Sequence, residues 1–227
     1  MATFNVGFFI FPNLTQLDFT GPLQMLSRLP DSSTHIVAKT KQAVISGCGL
    51  GLLPTHTFAD CPPLDLLCIP GGAGVADILH DQESIDFVRQ QAANARYVTS
   101  VCTGAFVLGA AGILQGRKAT THWGYTELLP LVGATHEAER VVRDGNVITA
   151  GGVTSGIDFG LSLLAEIAGP AVAQATQLSM EYDPQPPFNA GSLRTAPSDI
   201  AEQVKQRYAG ARTLYRSRLE GLTLDQA

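Results

Sequence analysis

The chain has 227 residues, room for one large domain or two small ones, and its 45% hydrophobic and 15% charged residues suit a globular protein with a sizeable core. A formal net charge of −5 argues against nucleic-acid binding and against attachment to anionic membranes, both of which call for a basic surface. No stretch approaches the ~18 uninterrupted apolar residues of a membrane helix, and the four cysteines (Cys48, Cys61, Cys68 and Cys102) lack the spacing of a disulfide framework.

In chain order, residues 4–11 form a nearly continuous apolar run ended by Pro12, which predicts a strand buried on both faces of a parallel sheet. A helix over residues 15–27 follows, with Gly21-Pro22 expected to interrupt it. Further strands are predicted at 35–39, 64–69 and 97–101. Residues 140–143 and 146–149 flank Asp144-Gly145, a hairpin signal. Helices are predicted at 84–95, with Asp81 as a cap, and at 105–114 and 157–167. Strands alternating with helices mean βαβ units and a mostly parallel sheet covered on both faces. Residues 183–197 carry Pro184, Pro186 and Pro187 and read as an ordered loop. The closing helix, 198–222, has an apolar stripe through Ile200, Val204, Tyr208, Tyr215, Leu219 and Leu222. That stripe docks either on its own domain or across a dimer interface.

The most informative segment runs from Arg96 to Leu108. An apolar strand leads straight into Cys102, then Thr103-Gly104, then a helix, the layout of a nucleophile elbow with sulfur in place of oxygen. At a helix N-terminus the thiolate gains from unpaired N–H groups, so a lowered thiol pKa is expected. The bland reading is a buried structural cysteine, which suits Cys68 better. Gly71-Gly72, after the 64–69 strand, form either a plain turn or a backbone anion site. Asp18, between Leu17 and Phe19, is either a helix cap or an acid at the same sheet edge; in the second case it shares a proton with Cys102 and serves as general acid or base. His122 is either the partner of the thiol or a residue packed beside Trp123. Asp158, three residues after Ser155, reads as part of a capping arrangement. The histidines and cysteines show no metal-ligand spacing, so no metal is expected.

Taken in order, Gln16-Leu17-Asp18-Phe19-Thr20-Gly21-Pro22, Ile69-Pro70-Gly71-Gly72, Val101-Cys102-Thr103-Gly104 and Ala119-Thr120-Thr121-His122-Trp123 resemble the ThiJ/PfpI superfamily over essentially the whole chain. Residues 98–104, 139–146 and 186–191 resemble its isocyanide-hydratase branch, and Asp18, where many members carry glutamate, agrees with that branch. The irregularly spaced cysteines and the absence of a signal-like N-terminal run point to a reducing cytoplasm. The resemblance implies a three-layer flavodoxin-like α/β sandwich spanning residues 1–227 as one domain, a homodimer, and no cofactor. It implies a small isocyanide as substrate, with no nucleic-acid or membrane partner. Cys102 would attack the isocyanide carbon to give a thioimidate, and Asp18 would move protons. Thr103 would lie near the acid and Val153 behind the sulfur, with Gly71, Gly72 and His122 supporting the pocket. Thr103 stands where protease-like members carry histidine, which counts against peptidase activity. The alternatives are a regulatory or redox-sensing module and a glyoxalase-like hydrolase on the same cysteine. The former occurs fused to DNA-binding helices, for which the chain after Gly191 is expected to be too short.

Overall fold

A computed structural model of the chain describes residues 3–222. Its main sheet contains β1 (Phe4–Phe9), β2 (Ser32–Ala38), β5 (His56–Thr57), β6 (Leu66–Ile69), β7 (Tyr97–Val101), β10 (Val141–Asp144) and β11 (Val147–Ala150). The order is β10-β11-β7-β6-β1-β2-β5, and every pairing is parallel except β10 with β11. Two small ribbons, β3 (Val44–Ile45) with β4 (Gly51–Leu52) and β8 (Lys118–Ala119) with β9 (Thr135–His136), lie outside it. Every residue of β6 and β7 is buried, which is why β6 reads as an unbroken apolar run and why β7, despite Thr99 and Ser100, shows no alternation.

The helices form two packed groups. In the first, α1 (Gln16–Leu26) lies against α5 (Ser155–Ala168), which lies against α6 (Pro170–Ser179). The second joins α2 (Val75–Ile78), α3 (Gln82–Ala92), α4 (Gly104–Ala110), a 3₁₀ segment (Trp123–Val132) and α7 (Ser198–Glu220). Mostly parallel sheet and flanking helices agree with the flavodoxin-like expectation.

Several local expectations change. Gly21-Pro22 does not interrupt α1, which runs through both residues. Pro22 instead serves packing: a Cβ on Gly156 would stand 3.0 Å from Pro22 Cδ, and one on Gly160 would stand 2.8 Å from Met25 Cβ. Glycines on α5 thus let α1 approach closely, and the tertiary contact outweighs one lost backbone bond. Asp158 caps nothing. It pairs with Arg140 and accepts the Tyr182 hydroxyl at 2.6 Å, tying the β10 side of the sheet to the segment after α6. Asp81 does sit at the N-cap of α3, but its carboxylate takes Ser84 and Lys39 rather than a helix N–H. The loop over 183–197 has no helix or strand, as its prolines require.

The strand order sets the position of the site. Chain direction across the sheet reverses at β1, which pairs with β2 on one side and β6 on the other. Ligands of open α/β sheets bind in the crevice at the carboxyl ends flanking such a switch point. Asp18 follows β1, Gly71-Gly72 follow β6 and Cys102 follows β7, so all of them emerge at one sheet edge.

Candidate active site

Cys102 occupies the turn between β7 and α4 with φ +57°, a left-handed conformation that is uncommon away from glycine. Neighbouring elements hold the turn in place. The Cys102 N–H donates to Ala150 O (3.0 Å) and Gly151 O (2.9 Å), and the Thr121 hydroxyl donates to Cys102 O (2.8 Å). Gly104 sits so close to the end of β6 that a Cβ there would lie 2.2 Å from Ile69 O. We expect Gly104→Ala to lower stability by about 1–3 kcal/mol through this overpacking, read as a fall in thermal midpoint; an unchanged midpoint would contradict the close approach.

Asp18, in the first turn of α1, is fully buried. Its Oδ2 accepts the Gly71 N–H at 3.0 Å, while Oδ1 has no hydrogen-bond partner among the described residues. Burial pushes its carboxyl pKa up to about 7, against the opposing pull of the Gly71 N–H and the Cys102 thiol. The Cys102 thiol lies well above its ordinary range as well, first from burial and then from the Asp18 charge; Thr103 pulls the other way through its N–H and hydroxyl. Here the structure departs from the sequence expectation of a lowered thiol pKa. The helix behind Cys102 has only seven residues, and its N-terminal stabilisation is outweighed by desolvation and a nearby carboxylate. The two acids behave as a pair that cannot both ionise cheaply.

Gly71 and Gly72 have a different job from the anticipated anion site. The Gly71 N–H is spent on Asp18, and the Gly72 N–H donates to Thr103 Oγ1 at 3.0 Å. A Cβ on Gly71 would stand 2.6 Å from Thr103 N and 2.9 Å from Asp18 Oδ2, so only glycine admits the acid here. Gly72, with φ +128°, keeps the turn in a conformation that L side chains rarely adopt. Its carbonyl accepts the Tyr215 hydroxyl at 2.6 Å. The turn therefore orients Asp18 and Thr103 rather than cradling an anion.

A cavity of about 270 Å³ opens beside the sulfur. Thr103, Val153 and His122 line it, as expected from the sequence, together with Tyr125, Tyr208 and Tyr215. His122 is neutral, because burial lowers its pKa to about 4. Its Nδ1 accepts the Gly124 N–H at 3.1 Å, which leaves Nε2 to carry the proton. Its ring packs against Trp123, Tyr125 and Tyr208 at centroid distances of 5.1–5.8 Å. Sequence reasoning missed the three tyrosines. Tyr208 and Tyr215 were visible only as members of an amphipathic stripe. The C-terminal half of that stripe docks on its own chain, burying Tyr215 and Leu219 and closing one side of the cavity, while Ile200 at the other end stays exposed. Cys68 is fully buried in β6 and is pushed by that burial to about 12, in line with a structural role. Among the described residues, no three histidine, cysteine or acidic side chains converge as metal ligands, and no helix is long and apolar enough to cross a membrane.

The sequence pattern of the DJ-1/PfpI family matches residues 5–166, which include Asp18, the glycine turn and Cys102. The chain belongs to the DJ-1/PfpI family. An isonitrile hydratase from Pseudomonas putida is 55% identical over 204 residues, 90% of each chain. A solved ThiJ/PfpI family protein from Pseudomonas syringae superposes with a TM-score of 0.94 at 41% identity, covering 96% of this chain and 91% of that one. A match of another kind is the HTH-type transcriptional regulator GbdR of Pseudomonas aeruginosa. It is 25% identical over 79% of this chain, which spans 51% of the regulator.

Proposed function

We propose that this protein is a hydro-lyase that adds water to an isocyanide, R–N≡C, to give the N-substituted formamide, with Cys102 as nucleophile and Asp18 as proton carrier. The observation that carries the reading is a buried carboxyl with one unpartnered oxygen beside a buried thiol that lines a small cavity. Full-length likeness to an isonitrile hydratase supports the choice of substrate. An isocyanide carbon both accepts a nucleophile and takes up a proton. This suits a pair of groups whose elevated pKa values keep a proton between them at neutral pH.

Asp18 takes the thiol proton as Sγ bonds to the isocyanide carbon, and returns that proton to the same carbon. The S–H bond is lost, S–C and C–H bonds form, and the product is the thioimidate R–N=CH–S–Cys102. Water then attacks this carbon. Asp18 accepts a water proton and passes it to nitrogen, leaving R–NH–CH(OH)–S–Cys102. Collapse breaks the C–S bond with its electron pair going to sulfur. The hydroxyl proton returns through Asp18, and R–NH–CHO departs. The sum is R–N≡C plus H₂O, with no redox change. Proton transfer of this kind contributes roughly 10²–10⁴-fold when the carrier's pKa lies near the working pH, the range in which Asp18 sits.

In this reading Thr103 and the Gly71-Gly72 turn hold Asp18 in place, Val153 backs the sulfur, and neutral His122 presents Nε2–H to the cavity rather than acting as the base. The test is formation of N-alkylformamide from methyl or cyclohexyl isocyanide, followed by the formyl proton signal in NMR. Turnover by wild type supports the assignment, and its absence in well-folded protein removes it. We further propose a cytoplasmic homodimer. Phe188 and Leu178 are about 80% exposed in a single chain, and the dimer is expected to cover them. Sedimentation equilibrium at micromolar protein reads this directly, and a monomer mass would overturn it.

A further inference from the structure

Resting on the isocyanide reading, we propose that α7 is the specificity element of this site, and that it restricts the R group to a short alkyl chain or a single ring. Two cavities meet at this end of the sheet. The inner one, beside Cys102, holds about 270 Å³, below the ~300–1,000 Å³ of pockets that enclose drug-sized ligands. The outer one holds about 540 Å³ and does not reach Cys102. His122 and Val153 line both, so these two side chains form the partition between them.

α7 supplies one wall of the inner cavity through Tyr208, Ala211, Leu214 and Tyr215. Tyr208 stands edge-on to His122 (5.1 Å between centroids) and to Trp123 (5.6 Å), bracing the partition from the inner side. Tyr215 is fixed by its bond to Gly72 O and by a ring contact with Tyr125 at 5.1 Å. Between these tyrosines in sequence, Ala211 contributes the smallest side chain that α7 places on the cavity. Room for a substituent exists under α7 because position 211 is alanine, and it ends where the tyrosine rings begin. The walls are largely apolar and aromatic, and His122 is uncharged, so the favoured R group is an uncharged hydrocarbon.

The experiment compares cyclohexyl with methyl isocyanide as the ratio of their kcat/KM values, in wild type, Ala211→Leu and Tyr208→Ala. One methylene in an apolar pocket discriminates by about 10–200-fold. Ala211→Leu is expected to lower the cyclohexyl-to-methyl ratio by an amount in that range. Tyr208→Ala, by unbracing the partition, is expected to raise it. A second measurement does not depend on turnover: the rates at which methyl and benzyl methanethiosulfonate modify Cys102, read by mass on the Cys102 peptide. The same two shifts are expected there. Ratios within twofold of wild type in both variants, by both measurements, would overturn the specificity proposal. Wild type that modifies with the expected size preference but hydrates no isocyanide would remove the isocyanide reading and leave the size limit standing. If one variant fails to fold, by circular dichroism, the other decides.

Discussion

Cys102→Ala reduces formamide production to the uncatalysed rate, a loss on the order of 10⁴-fold or more, while the protein stays folded. The magnitude follows from the reaction's dependence on an S–C bond, since losing the nucleophile of a covalent mechanism removes the whole pathway rather than one contribution to it. No other thiol can substitute: Cys68 is sealed within β6, and Cys48 and Cys61 do not line the cavity. The fold survives because the elbow is held through the backbone. The Cys102 N–H donates to Ala150 O and Gly151 O, its C=O accepts from the Thr121 hydroxyl and the Ala105 N–H, and alanine keeps all four bonds. Removing one sulfur beside an existing cavity costs only about 1 kcal/mol, visible as a small drop in thermal midpoint. Rates are measured by NMR under excess isocyanide, with folding checked by circular dichroism. Appreciable turnover by the alanine variant would exclude the thioimidate.

Asp18→Asn lowers turnover by about 10²–10⁴-fold and at the same time makes the protein more stable at pH 8. An amide cannot shuttle protons, yet its oxygen can still accept the Gly71 N–H that now binds Oδ2. The stability gain has a definite sign. Asp18 has a folded pKa near 7 against an ordinary value of 3.8, so between those limits the folded state binds a proton that the unfolded state releases. Wild-type stability is therefore intact below about pH 4 and falls as pH rises toward 7. Asparagine has no such dependence. The advantage of the variant grows from near zero at pH 4 to a few kcal/mol at pH 8, since each unit of pKa shift corresponds to about 1.36 kcal/mol. Urea denaturation of both proteins at pH 4 and pH 8 measures it. Equal stability at pH 8 would mean that Asp18 is not held against an elevated pKa, and the shared-proton mechanism would lose its basis.

Much of this architecture was legible in the sequence because its signals are local. Largely apolar runs without alternation marked β1, β6 and β7, since strands covered on both faces have no solvent face to alternate with. Asp144-Gly145 marked the β10–β11 hairpin, where Gly145 adopts φ +64°. The strand–Cys102–Gly104–helix layout marked the elbow, and the family motifs placed Asp18 and Gly71-Gly72 around it. Very short strands such as β5 and β8 escaped notice, because two residues carry no periodicity. So did α6, whose modest apolar face is decided by its packing on α5.

The sequence by itself put Asp18, Gly71 and Cys102 at one sheet edge, since each follows its own predicted parallel strand; the order that sets those strands side by side came from the tertiary structure. Tertiary structure alone decided their chemical condition. A thiol at a helix start reads as acidic, but desolvation and the Asp18 charge, both properties of the packed neighbourhood, drive it upward. The amides of Gly71 and Gly72 read as free donors until Asp18 and Thr103 are found to occupy them. Tyr208 and Tyr215 read as a packing stripe more than a hundred residues from Cys102, and only the docking of α7 turns them into a wall of its cavity. Spacing along a chain records periodicity. Burial, charge neighbourhood and cavity shape depend on contacts between distant segments, which no local pattern encodes.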